Sequence, residues 1–415
     1  MEKRGLLTVY GILPFYVSEY TERLEKVKRR MEQTGIEVLL VSDPANIHYL
    51  SGYDGWSFYV PQLLVVIGEE EQPIWIGRNQ DANGARLTTW FHPDRIIPYP
   101  EEYVQAAERH PMDFVVDVLR RLDQAGRRIG VELDAYYFTA RSFEQLKKGL
   151  PNARFQDATL LVNRVRMVKS EQEIEYMQRA ARIAEEAMGA GIGAIGAGVR
   201  ECDAAARISF AQICGTPDFG GDYPSIVPLL PSGIKTSTPH LTWSDSTYQE
   251  GDVVILELAG CHRRYHSPLA RTAVIGKVPT PVKDLAEVVG EGLNAALEAV
   301  KPGTTCEGVE AAWRRVIQPR GYRKDSRLGY SVGLNYPPDW GEHTASIRAG
   351  DRTILQPNMT FHLIAGIWLD QFGIELSETF RVTETGCEVL AHYPRELIQL
   401  PKRALATLPM EENGA

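Results

Sequence analysis

The run GDVVILELAG places one ionisable side chain, Glu257, inside an otherwise apolar segment. With the two-residue period of a strand, Val253 and Ile255 share its face while Val254, Leu256 and Leu258 take the other. A strand apolar on both faces is buried. A carboxylate held there needs a partner, a proton or a reaction, because burying it unpaired costs several kcal/mol. Such a group either attacks an electron-poor carbon directly or acts as a base for water. The competing reading is structural, a buried pair with nearby Arg271.

Two other groupings have chemical potential. NYPPDWGEHT carries Tyr336 and brings Trp340, Glu342 and His343 together after two prolines. Loops concentrate function, although a packed turn has a similar composition. GYDGWSFYVPQ sets Asp54, Trp56, Phe58 and Tyr59 in a Gly-flanked loop. Aromatic faces hold a delocalised cation for about 0.5–2 kcal/mol each. The same residues would equally form an apolar patch at an interface. His266 and His362 lie in strand-like contexts and read as core or supporting groups.

The elements around these residues alternate. Ser18 is expected to cap a helix from Tyr20 to Met31 that Gly35 ends, followed by a compact strand, Val38 to Val41. Leu63–Ile67 and Ile74–Ile76 flank GEEEQ as a hairpin. A strand at Ile129–Leu133 and a helix at Thr139–Leu150 complete a mixed α/β layer. After the basic segment RVRMVKS, Ser170 and Glu173 form a capping box, and Ile174, Met177, Ala181, Ala184 and Met188 fall on one helical stripe. Then come a helix near Arg200–Cys214, a Pro/Gly-rich loop, the Glu257 strand, helices at Val282–Val300 and Glu307–Ile317, and strands near Met359–Leu363 and Glu378–Val382.

At 415 residues the chain is too long for one ordinary core. Two domains are expected, 1–163 and 164–400, with a frayed tail from 401 that includes ATLPMEENGA. The net charge of −9 and the lack of a basic cluster argue against a nucleic-acid partner. No stretch reaches the length of a membrane span, and the N-terminus has no signal-peptide pattern. Five scattered cysteines without CxxC spacing fit a reducing, cytoplasmic setting.

Several motifs in order carry a resemblance. GDVVILELAGCHRRYHSPLARTAVIG, the helix RMVKSEQEIEYMQRAARIAEEAM, the early PANIHYLSGY and PHLTW resemble the pita-bread hydrolases, the family of prolidase, aminopeptidase P and creatinase, over residues 20 to 390. The resemblance implies an α/β (α+β) chain: a creatinase-like N-terminal α/β domain, then a pita-bread catalytic domain, in a homodimer. The departures are specific. At the five positions where the family's peptidases hold two metals stand Glu257, Pro268, Tyr330, Ile364 and Ser377, with Glu375 and Glu378 near the last. Proline and isoleucine offer no donor atom, and neutral tyrosine and serine are poor ligands, so neither a metal nor another cofactor is expected.

Two metal-free groups of relatives share such losses, the creatinases and the ectoine hydrolases. DYPSIVPLLPSG, PHLTW and VGLNYPPDWGEHTASIR resemble the latter. That resemblance implies hydrolysis of a small zwitterion, a cyclic amidinium bearing a carboxylate, with 5-hydroxyectoine as a second substrate. In this frame Glu257 is the nucleophile or base. His240, where the family keeps a histidine, is the proton shuttle, and His343 and Glu342 are further catalytic candidates. Trp56, Tyr59, Asp54, Tyr330, Tyr336 and Trp340 are the expected substrate contacts. The rival readings are a creatinase-type amidinohydrolase and a non-catalytic binding module.

Overall fold

The computed structural model describes residues 13–403, so most of the expected tail lies outside the described residues. The chain divides into two compact units between Arg166 and Met167. That is three residues past the expected boundary, because a last short helix of the first unit runs to Arg166.

The first unit runs in the order α1 (Val17–Thr34), β1 (Val38–Val41), α2 (Pro44–Ser51), β2 (Leu63–Ile67), β3 (Ile74–Arg78), α3 (Ala82–Thr88), β4 (Ile96–Tyr99), α4 (Pro111–Arg121), β5 (Arg128–Val131), α5 (Ala140–Gly149), β6 (Arg154–Asp157) and α6 (Leu161–Arg166). Its strands form one sheet ordered β4-β3-β2-β1-β5-β6. The hairpin β2–β3 is antiparallel as its turn implied, whereas β1, β5 and β6 pair in parallel. In α1, Tyr20, Leu24, Val27 and Met31 form the buried stripe, and Gly35 ends the helix at φ 72°, a conformation that favours glycine. Ser18 is not the cap. Tyr16 occupies that position without a side-chain bond, and Ser18 lies inside the first turn.

Just beyond β5, Glu132 is buried and well served. It accepts the backbone N–H groups of Ser42 at 2.7 Å and Asp43 at 2.8 Å, and the Asn46 side-chain amide at 2.6 Å. Asn46 in turn accepts from Arg166 and donates to Asn163. Burial, with the Asp43 charge, still pushes the Glu132 carboxyl up to about 7.

The second unit contains α7 (Glu171–Ala194), α8 (Glu201–Cys214), β7 (Val253–His262), β8 (Tyr265–Ile275), α9 (Thr280–Ala299), α10 (Cys306–Ile317), β9 (Gly329–Val332), β10 (Gly341–Ile347), β11 (Thr360–Trp368), β12 (Gly373–Val382), β13 (Cys387–Val389) and β14 (Ile398–Leu400). The capping box that opens α7 is present, with Ser170 and Glu173 exchanging bonds at 2.8 and 3.2 Å. The expected stripe along α7 is buried. It packs on β7 so closely that a Cβ at Gly260 would lie 1.9 Å from the Ala180 carbonyl oxygen. Only glycine allows that approach.

Two sheets result, β14-β8-β7 and β10-β9-β11-β12-β13. Helices α9 and α10 pack with the second sheet around the core of Trp313, Phe361, Phe380 and Leu376. Side chains stitch β8 to β12. Thr272 Oγ1 donates to the Glu375 carbonyl at 2.8 Å and accepts the Glu375 N–H at 2.9 Å. Thr379 Oγ1 donates to the Pro268 carbonyl at 2.8 Å. Arg271 donates to the Ser377 carbonyl and to the Glu378 carboxylate, both at 2.7 Å.

Candidate active site

Register decides which side chains meet. On the β7–β8 ladder Glu257 faces Ala270, and Leu256 faces Arg271. Directly paired residues share a sheet face, so Arg271 lies on the face opposite Glu257. The structural pairing expected as the alternative for Glu257 is therefore absent. Arg271 is instead committed to Glu378, which also accepts from Arg395 at 3.0 Å. Pro268, two residues from Ala270, shares the Glu257 face. On the second sheet Tyr330 faces His362, and Ile364, two residues on, faces Ser377. One face thus presents Tyr330, His362, Ile364, Ser377 and Glu375 together.

Glu257 is buried, and its side chain makes no hydrogen bond among the described residues. Burial first, then the charge of Glu375, raises its carboxyl well above the ordinary value, and Lys324 opposes this. Glu375 is also buried, with neither carboxylate oxygen hydrogen-bonded among the described residues, and its carboxyl is pushed up to about 7 by burial. Lys324 is half-buried, its Nζ 4.4 Å from the centre of the Trp368 ring, and burial brings its ammonium down to about 8 against the pull of both glutamates. Two carboxyls and one amine form one electrostatic cluster.

A hydrogen-bonded chain lines the same face. Trp340 Nε1 donates to the Tyr330 hydroxyl at 2.7 Å. His362 Nδ1 lies 3.2 Å from that hydroxyl, and its Nε2 lies 2.8 Å from Ser377 Oγ. Burial holds His362 down at about 3, so it is neutral around pH 7, and burial plus the Glu257 charge raises the Tyr330 phenol. The Arg327 guanidinium stacks over Tyr330 at 4.1 Å.

The other expected site residues fall in varied places. Trp340 is fully buried and orients Tyr330, offering no free face, while Tyr336 is buried with Arg264 5.5 Å over its ring. Glu342 sits in a buried ion pair with Lys169 at 2.6 Å, which engages the carboxylate expected to do chemistry. His343 is exposed, in the left-handed region at φ 61°, with Nε2 2.7 Å from Asp339. His240 lies on an exposed turn just after the 3-10 segment Gly233–Ser237. In the first unit Trp56 and Tyr59 are 55% and 60% exposed, and Asp54 is exposed beside them. Trp56 packs on buried Phe58 at 5.0 Å. Lys324 was not legible as a site residue. It lies in the polar segment YRKDSR before β9, where pattern predicts only loop.

The donor set does not suit the two-metal centre of the family's peptidases. The five positions that the resemblance assigns to the metals hold one carboxylate, a proline, an isoleucine, a serine and a tyrosine whose hydroxyl is engaged by Trp340. Among the described residues no group of three or more His, Cys, Asp or Glu is placed to hold a metal ion.

Comparison with known proteins identifies the family. The model of metallopeptidase family M24 matches residues 175–384, and that of the creatinase/prolidase N-terminal domain matches residues 23–168. The chain belongs to the creatinase/prolidase-like hydrolases of family M24. Among its relatives, an uncharacterized hydrolase/peptidase of Sinorhizobium fredii is 46% identical, over 93% of this chain and 99% of that one. The ectoine hydrolase of Halomonas elongata is 44% identical, over 93% of this chain and 98% of that one. The prolidase structure from Pyrococcus horikoshii shares the fold, with a TM-score of 0.78 at 24% identity over 91% of this chain and 100% of that one.

Proposed function

We propose that this protein opens the ring of ectoine, and of 5-hydroxyectoine, to an N-acetyl-2,4-diaminobutyrate without a metal, using Glu257 on the amidine carbon. The observation that carries the reading is Glu257 itself, a buried carboxylate with no side-chain hydrogen bond among the described residues, at a position that the resemblance assigns to a metal ligand. The similarity to the Halomonas elongata ectoine hydrolase supports the substrate.

The chemistry follows from charge. An amidinium spreads one positive charge over two nitrogens and a carbon, so a buried carboxylate attracts it and can attack that carbon. As the cation enters, its charge offsets the burial that favours protonated Glu257. Tyr330, held by Trp340 and His362, presents a fixed wall. His240, on its exposed turn, is the proposed route for protons to and from water. Trp56 and Tyr59 are proposed to close the site of a second copy in a homodimer, with Asp54 beside them.

The decisive experiment incubates the pure protein with ectoine, creatine and an Xaa-Pro dipeptide and follows each by proton NMR. Ring opening of ectoine alone is expected. Cleavage of creatine alone would favour the amidinohydrolase reading. Elemental analysis of active protein is expected to find well under one transition metal per chain, and loss of activity on chelation with recovery on manganese would refute metal independence. Mixing Glu257→Gln and Trp56→Ala proteins under subunit exchange is expected to restore part of the activity.

A further inference from the structure

Hydrolysis of a cyclic amidinium needs more than a nucleophile. The departing ring nitrogen must gain a proton, and the water that completes the reaction must lose one. Glu375 shares a sheet face with Ser377 and Ile364, and no hydrogen bond among the described residues accounts for its carboxylate. Its carboxylate oxygens are buried and make no hydrogen bond among the described residues, in contrast to Glu378 three residues on, which Arg271 and Arg395 hold. Its backbone is pinned on both sides by the Thr272 hydroxyl, so the strand cannot drift from β8. Its charge and that of Glu257 act on one another and on Lys324.

We propose that Glu375 is the second reacting carboxyl of the site, an acid for the leaving nitrogen and then a base for water, with Lys324 positioning the charge of the Glu257–Glu375 pair. The proposal rests on the hydrolytic reading above and assigns its proton donor. Two buried carboxyls with a single half-buried lysine cannot both ionise cheaply, so the pair keeps one proton. The neighbouring groups leave that balance to the pair. Lys324 supplies the cation, Thr272 on β8 is an uncharged hydroxyl, Tyr330 on β9 is kept neutral, and His362 on β11 is neutral by burial. A cationic ring seated against Glu257 favours its ionised form and leaves the proton on Glu375.

The steps balance. A Glu257 oxygen forms a bond to the amidine carbon, and the C=N π electrons move onto nitrogen, giving an adduct without net charge at the ring. Glu375 gives its proton to one ring nitrogen, and the bond from carbon to that nitrogen breaks. The amine leaves, and the other nitrogen forms C=N⁺ to the carbon still esterified by Glu257. Water adds to that carbon and passes a proton to the Glu375 carboxylate. Expulsion of the Glu257 carboxylate then forms the amide, and the last proton goes to the free amine. Both carboxyls return to their starting states.

The test compares wild type with Glu375→Gln and Glu375→Ala. Ectoine affinity should stay within about tenfold in both, while turnover falls at least about a thousandfold, the scale of general acid–base catalysis. Added formate should restore turnover at least tenfold in Glu375→Ala, where a cavity admits it, and not in Glu375→Gln. If wild type opens no ectoine, the hydrolytic reading fails, and this proposal with it. If wild type is active and Glu375→Gln keeps turnover within tenfold, Glu375 is not the proton donor. A substrate-free measurement separates the two further. The infrared difference between resting wild type and Glu375→Gln at neutral pH should contain one protonated-carboxyl band, and its absence would overturn the shared proton.

Discussion

Glu132 in the first unit and Glu375 in the second are both buried and both pushed up to about 7, yet their surroundings are opposite. Glu132 receives two backbone N–H groups and an asparagine amide. Glu375 receives no hydrogen bond among the described residues and faces a second carboxyl and a lysine. The perturbation is of the same size in both; the inventory of donors is what differs. Buried groups that only hold a fold together are satisfied, because an unmet polar group costs about 1–3 kcal/mol. The Arg271–Glu378 and Lys169–Glu342 pairs resemble Glu132 in having donors, whereas Glu257 resembles Glu375 in having no side-chain hydrogen bond among the described residues.

That division is open to mutation, and the largest effect should fall on Glu257. Glu257→Gln should lower turnover by at least about a thousandfold with an unchanged circular dichroism spectrum, since an amide does not attack. Retention within tenfold, about 1.4 kcal/mol of barrier, would move Glu257 to the structural group. On the other side, Arg271→Met leaves Glu378 with only the half-exposed Arg395 and should cost about 3–5 kcal/mol in urea unfolding.

Conversion to glutamine sharpens the contrast. At pH 8, Glu132→Gln should destabilise by about 1–3 kcal/mol, because it spoils a donor set built for two acceptor oxygens. Glu375→Gln should stabilise by a similar about 1–3 kcal/mol, because it removes a buried carboxyl that accepts no hydrogen bond among the described residues. The pH dependence has the same sign for both wild-type groups. Each folded-state value lies above the ordinary 4.5, so the folded state holds a proton that the unfolded chain has released. Their contribution is complete below about pH 4.5 and is lost as pH rises through about 7. Each glutamine variant should flatten the fall in stability across that window, and an unchanged slope would remove the group from consideration. The smallest test concerns caps. Ser170→Ala should cost about 1 kcal/mol, whereas Ser18→Ala should stay within about 0.5 kcal/mol because Ser18 caps nothing.

What could be read in advance was whatever depends on local period. The α7 capping box, the apolar two-faced strand around Glu257 and the β2–β3 hairpin all follow from neighbours within a few residues. The identity of Glu257's companions was not available in that way. Arg271 is close in sequence yet lies on the opposite face, a matter of one residue of ladder register. Lys324 comes from a polar loop and Glu375 from a strand more than a hundred residues on, and only the stacking of two sheets makes them neighbours. Ser18 misled because a serine near a helix start is a cap only when its own backbone stays outside the helix.

The threonine seam between β8 and β12 has a mechanical consequence. Thr272 does with one hydroxyl what a backbone partner does in a ladder, taking an N–H and giving an O–H to the same residue. The two sheets are thereby riveted at points along the seam, and each is free to keep its own twist. In deuterium exchange the Glu375 amide should behave as though it belonged to a continuous sheet. A valine of the same shape at position 272 would open that rivet, let the amide exchange, and loosen the spacing between the two glutamates without touching either one.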